Sequence, residues 1–158
     1  LPLAATLTTQ AIYEGFLAAP SEYKQFFHGH TFTANPLACA VSLASLNLFE
    51  TNDVLAHVRI LEAQMHKRFE SWRGRSEICE IRHRGVMAGI DLSTTDKNPL
   101  PSGHTHGHQV AMTCRQHGAI VRPLGETLVL NPPLSITTNE LGQLLNAVEQ
   151  ALDDVFYG

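Results

Sequence analysis

The sequence is poor in cysteine and in charge, and it has no long apolar run. Each shortage removes a class of protein. Its three cysteines, Cys39, Cys79 and Cys114, are odd in number, far apart and form no CxxC pair. That spacing argues against a disulfide framework and for a reducing compartment. Cys39 falls on an apolar helical run and is expected to be a small buried hydrophobe. Charged residues are 16% of the 158 positions and the net charge is −4. Neither nucleic acid nor an anionic membrane is therefore expected as a partner. No apolar stretch is long enough to cross a bilayer. No signal peptide is visible at the start, and there is no internal repeat or low-complexity segment. What is present is a hydrophobic fraction of 44%, enough for a globular domain with a real core. The chain opens on Leu1, without methionine, directly in a strand-like apolar run. From this we expect that its natural start lies upstream.

Periodicity divides the chain into two parts. Leu1 to Thr8 reads as a short buried strand and Ala11 to Leu17 as a brief helix that Pro20-Ser21 breaks. A helix is predicted from Leu37 to Phe49, apolar nearly all round and so expected to be buried on more than one side. After Thr51-Asn52-Asp53, the residues Val54, Val58, Leu61, Met65, Phe69 and Trp72 recur at steps of three and four. They form the stripe of an amphipathic helix that Gly74 can stop. Glu77 to His83 and the alternating Val86, Ala88, Ile90 and Leu92 read as two antiparallel strands around Gly85. Ser93 to Thr105 is a polar loop, a candidate for mobility. Gln109 to His117 reads as a helix closed by Gly118. Ala119 to Arg122 and Thr127 to Leu130 read as short strands around Pro123-Leu124-Gly125. Thr137 with Glu140 forms a capping box, and Ile136 with Leu141 a hydrophobic staple, ahead of a last amphipathic helix. The part from about residue 51 is thus a compact α+β domain, and the part before it resembles the tail of a larger α/β domain.

The chemistry concentrates in Phe27-His28-Gly29-His30-Thr31-Phe32-Thr33-Ala34-Asn35-Pro36. Small, hydroxylated and turn-forming residues lead into a helix that Asn35 can cap and Pro36 can begin. Free N–H groups, hydroxyls and the positive end of a helix dipole are the parts of an anion site, and a phosphate would suit it. The plainer reading is a capped core helix with a polar lead-in.

His28-Gly29-His30-Thr31-Phe32 with Asn35-Pro36-Leu37-Ala38-Cys39-Ala40 resembles the phosphate-loop signature of the class III pyridoxal-phosphate aminotransferases. Leu1-Pro2-Leu3-Ala4-Ala5-Thr6-Leu7-Thr8-Thr9 resembles the segment after their Schiff-base lysine, and Val121-Arg122-Pro123-Leu124-Gly125 a third motif, in the same order. The similarity spans essentially the whole chain. It implies an α/β, fold-type I PLP transferase, with residues 1–50 the end of the large cofactor-binding domain and 51–158 the C-terminal small α+β domain. It implies pyridoxal 5'-phosphate as cofactor, small-molecule substrates, a cytoplasmic enzyme, and a homodimer with shared active sites.

The resemblance also assigns residues. His30 and Thr31 would hold the cofactor phosphate, Thr31 reaching across a dimer interface into the partner's site. Gly29 would let a substrate approach the backbone; otherwise it is a plain turn glycine. Arg122 would grip a substrate carboxylate bidentately; otherwise it forms a structural ion pair with Asp91 or Glu126. Transamination needs a lysine that bears the cofactor and shuttles protons. Lys24, Lys67 and Lys97 read as solvated surface lysines, although Lys24 sits in a Ser21-x-x-Lys24 spacing seen in some lysine active sites. The family pattern places the lysine a few residues before Leu1, so no catalytic residue is assigned within the chain. A non-catalytic dimerisation module is the competing class of reading. Another class III ω-aminotransferase with a different amine donor is the nearer one. His104, His106 and His108 alternate, and in an extended segment three imidazoles on one side can bind zinc. No carboxylate or cysteine stands at a matching spacing, and no metal is assigned. Phe26 and Phe27 read as packing residues.

Overall fold

The computed structural model describes residues 1–93 and 104–158. Within them the chain divides into two compact units, Leu1–Asn52 and Asp53–Gly158. Lys97 and most of the polar loop from Ser93 to Thr105 lie outside the described residues.

In the first unit, Thr9 caps a short helix α1 (Gln10–Glu14) by accepting the Ile12 N–H at 3.4 Å. A 3-10 turn at Pro20–Glu22 follows. The main element is α2 (Pro36–Thr51), which starts where the sequence places it, with Asn35 as cap and Pro36 in the first turn. Two expectations fail here. Leu1 to Thr8 is not a strand: it is irregular and exposed, with Leu7 at 92%. A strand needs a neighbour to take its ladder hydrogen bonds, and among the described residues this unit has no other strand. Nor is α2 buried. Only Ala38 is, while Leu37, Val41, Leu43, Leu46, Leu48 and Phe49 are exposed and Cys39 is half-buried. An all-round apolar helix needs layers on several sides, and the unit does not supply them.

The second unit realises its pattern more fully. Helix α3 (Val54–Trp72) turns Leu61, Met65, Phe69 and Trp72 inward, each essentially inaccessible. Burial of such a side chain contributes roughly 1.5–3 kcal/mol. Gly74 follows the helix with φ +93°. Strands β1 (Ile78–Arg84) and β2 (Met87–Leu92) pair antiparallel around Gly85, whose φ of +56° lies in the left-handed region that favours glycine. Helix α4 (His106–Cys114) begins three residues earlier than the sequence suggests, because Thr105 caps it. Strands β3 (Arg122–Leu124) and β4 (Thr127–Leu130) form a hairpin. The first of this pair starts later than expected and takes in Pro123. That is tolerated because β3 is an edge strand, where a missing N–H need not break a ladder. Helix α5 (Thr138–Phe156) closes the unit, with the expected capping box: Glu140 N–H to Thr137 Oγ1, and Thr137 N–H to Glu140 Oε2 at 2.8 Å. Ile136 packs half-buried against the cluster that holds Leu141.

The sheet runs in the order β1-β2-β4-β3. Ala88, Ile90 and Leu92 of β2 and Leu128 and Leu130 of β4 face the helices and form the core with α3, α4 and α5. The other sheet face carries Glu80, Arg82, Arg84, Met87, Gly89, Asp91, Thr127, Val129 and Arg122. Their shared side follows from the registers Glu80↔Asp91↔Thr127 and Arg82↔Gly89↔Val129↔Arg122.

Candidate functional site

The loop from His28 to Asn35 is built by its own side chains. Thr33 Oγ1 accepts the His30 N–H at 3.1 Å and His30 Nδ1 accepts the Phe32 N–H at 3.1 Å. The Thr33 N–H returns to the His30 carbonyl at 3.0 Å. These bonds throw residues 31–34 into a turn that ends on Ala34 at φ +54°. A concavity of about 840 Å³ lies beside it, lined by His28, Gly29, His30, Phe32 and Thr33 and floored by residues 1–4.

Thr31 stands apart from this wall. It is exposed, it does not line the concavity, and neither its hydroxyl nor its N–H has a hydrogen-bond partner among the described residues. Its donors are available to an anion. The helix end behind it is not. Asn35 Oδ1 accepts both the Leu37 and Ala38 N–H groups, at 3.0 and 3.1 Å, and Pro36 has none to offer. The expected set of free helix N–H groups is thus already consumed by the cap, and the His30 N–H by Thr33. Thr31 carries the uncommitted donors, which fit a phosphate. A Cβ on Gly29 would meet only Thr33 Oγ1, at 3.9 Å, so nothing within the unit demands glycine there.

Arg122, in the other unit, opens β3 opposite Val129 with its side chain exposed. Its guanidinium has no ion-pair or hydrogen-bond partner among the described residues. The acids suggested as structural partners are committed elsewhere. Asp91 accepts two bonds from Arg82, that from Nη2 at 3.0 Å, and one from Thr127 Oγ1 at 2.6 Å. The Arg82 and Thr127 bonds hold its carboxyl below the usual carboxylate range. Glu126 accepts the Gly107 N–H at 3.0 Å.

The remaining candidates separate. Lys24 pairs with Glu22 at 3.0 Å on the surface, and Lys67 is exposed on α3. The three alternating histidines do not share a side, because the segment is helical from His106 and not extended. His106 is buried and stacks on Phe156 at 5.2 Å, while His104 and His108 are exposed and lie ring to ring at 5.4 Å. Among the described residues no group of three or more ligating side chains is placed to hold a metal ion. Phe26 packs between Phe16 and His28, with ring centroids at 5.3 and 5.4 Å, and remains exposed, as Phe27 does. The Arg82–Glu80–Asp91–Thr127 network is absent from the sequence reading. Its signal was the lone acid Asp91 in the apolar run of β2, together with the charges of Glu80, Arg82 and Arg84 at every second position.

Comparison with known proteins places these features in a family. Residues 1–152 match the model of the aminotransferase class-III family. The chain is 42% identical over 154 residues to the adenosylmethionine-8-amino-7-oxononanoate aminotransferase of Nitratidesulfovibrio vulgaris, covering 96% of this chain and 28% of that protein. It superposes on the crystal structure of the enzyme of the same name from Methanocaldococcus jannaschii with a TM-score of 0.87 and 39% identity, over 98% of this chain and 36% of that one. It resembles a PMP-bound aminotransferase from Vibrio fluvialis with a TM-score of 0.75 and 29% identity, over 86% of this chain and 30% of that one. The chain therefore spans about a third of the length of the proteins that it matches. No helix among the described residues is long and apolar enough to cross a membrane.

Proposed function

The chain belongs to the class-III aminotransferase family, and from that premise we propose that it is part of a pyridoxal-phosphate enzyme that moves an amino group from S-adenosylmethionine to 8-amino-7-oxononanoate. The product is 7,8-diaminononanoate, an intermediate of biotin synthesis. Residues 1–50 are the end of the large domain and residues 51–158 the small domain. The resemblance puts the cofactor-bearing lysine ahead of Leu1 in the whole enzyme.

When bound, pyridoxal phosphate supplies the carbonyl that takes the amino group from the donor and later releases it to the acceptor. The residues of this chain bind and orient. Thr31, with its hydroxyl and N–H, holds the phosphate, and His30 braces the turn through its Nδ1 and the Thr33 hydroxyl. Gly29, by the resemblance, leaves the backbone open to close approach by the substrate. Arg122 grips the acceptor carboxylate with its two parallel N–H groups. The observation that carries the assignment is that Thr31 and Arg122 are both exposed and, among the described residues, without partners, while their neighbours are engaged. By the resemblance, Thr31 reaches the phosphate of a second subunit, and the enzyme is a cytoplasmic homodimer with shared sites.

The test uses the natural full-length chain. Adding S-adenosylmethionine should convert the cofactor from its aldehyde to its amine form, seen by absorbance, and adding 8-amino-7-oxononanoate should reverse it. Thr31→Val should weaken cofactor affinity about tenfold or more, as expected for a lost bond to a charged group. Conversion by a simple amine but not by S-adenosylmethionine would instead make the protein an ω-aminotransferase with another donor.

A further inference from the structure

Among the described residues Arg122 is unpaired, on a sheet face that holds two acids. The face carries Arg82, Arg84 and Arg122 with Glu80 and Asp91. Arg82 takes both acids: Nη1 reaches Glu80 Oε2 at 2.8 Å, and Nη1 and Nη2 grip the two oxygens of Asp91. Position 89, opposite it on β2, is glycine, where a Cβ would be in ordinary van der Waals contact with Arg82 Nη2 at 3.5 Å and with Thr127 Cγ2 at 3.4 Å. Arg82 and Arg122 end the same cross-strand row, about 14 Å apart by three strand spacings. Asp91 lies two strands and two residues from Arg122, roughly 12 Å between Cα atoms. That is near enough for the Asp91 carboxylate, which would keep its bond from Thr127 Oγ1, to draw an extended Arg122 guanidinium toward it.

We propose that Arg82 is a positioning residue for Arg122: by binding Asp91, the acid of the outer face nearer to Arg122, it keeps the Arg122 guanidinium unpaired for a carboxylate-bearing acceptor. The proposal rests on the reading of Arg122 as the carboxylate site. With the acids claimed, the face keeps a surplus of positive charge from Arg84 and Arg122. That surplus favours an anionic reactant over a neutral or cationic one. Without Arg82, Asp91 becomes an internal competitor for the same guanidinium.

The test measures steady-state kinetics of the full-length enzyme with saturating donor. Arg82→Met should raise the KM for the acceptor about fivefold or more while kcat stays within about twofold, because ground-state binding alone is lost. Adding Glu80→Gln and Asp91→Asn to that variant should return KM to within about twofold of the parent. Glu80→Gln with Asp91→Asn on intact Arg82 should leave KM unchanged or lower. If Arg82→Met fails to fold, Arg82→Lys, which keeps the charge but loses the two-pronged grip on Asp91, should raise the acceptor KM by a smaller factor, and an unchanged KM there overturns the proposal. An unchanged KM in Arg82→Met overturns the proposal. So does a raised KM that neutralising the acids does not restore, or a raised KM in the variant that keeps Arg82, since either marks a merely structural bond. Arg122→Met is the separate control. If it leaves the acceptor KM unchanged, the reading of the carboxylate site itself fails; if it raises KM while Arg82→Met does not, only the role of Arg82 falls.

Discussion

Replacing Gly107 by alanine should destabilise the protein, although helix propensity alone predicts the opposite sign. Gly107 is in the first turn of α4, where alanine is preferred over glycine by up to about 1 kcal/mol. The structure leaves no room for the added methyl. Its Cβ would lie 2.3 Å from the Gly125 carbonyl oxygen and 3.2 Å from Glu126 Cα, both backbone atoms of the β3–β4 turn. That turn cannot yield alone. Thr105 Oγ1 donates to the Gly125 carbonyl at 3.1 Å, the Glu126 carboxylate accepts the Gly107 N–H at 3.0 Å, and the Leu92 N–H donates to the Glu126 carbonyl at 3.0 Å. Separating helix from hairpin costs about 1–3 kcal/mol for overpacking. Losing a hydrogen bond to a charged group adds about 1.5–3 kcal/mol. Set against a propensity gain of about 1 kcal/mol, the net loss is about 1.5–5 kcal/mol. In a unit of this size that lowers the melting temperature by several degrees or more. Calorimetry or urea unfolding of the purified chain measures it. A variant as stable as the parent would refute the close approach, and a more stable one would show that local propensity governs this turn.

Other outcomes follow from single contacts. Thr137→Ala removes the cap of α5 and should cost about 1 kcal/mol, with Thr137→Ser restoring most of it, read by urea midpoint. Burial works against ionisation of Glu77, but bonds from the Tyr157 hydroxyl, from backbone and from Arg75 outweigh it and hold its carboxyl below the ordinary 4.5. A depressed folded value means stability that is fully present above pH 4.5 and lost as the pH falls toward the folded value. Urea midpoints should decline in that window, and Glu77→Gln should flatten the decline while lowering stability at neutral pH. Thiol labelling should modify the exposed Cys79 first. Cys114, inaccessible and with its thiol pushed up to about 11 by burial, should react only on unfolding, as mass spectrometry of timed samples would show.

Local signals in the sequence settled the starts and stops of most elements. Asn35-Pro36 begins α2, Thr137 and Glu140 begin α5, and Gly85 turns β1 into β2, because caps and turns are satisfied by residues within a few positions of one another. The stripe of α3 named its buried side chains for a similar reason, since one helical period decides which residues share a face. The same signals misjudged Leu1 to Thr8 and the burial of α2. A strand and an apolar helix are completed only by elements elsewhere, and no pattern within a segment supplies them. The motifs pointed to Thr31 and Arg122, but not to the bonds around Arg122. That Arg82 reaches Asp91, nine residues along the chain, was decided when the fold laid β1 beside β2. Electrostatic partners are chosen by distance in space, which tertiary packing alone determines.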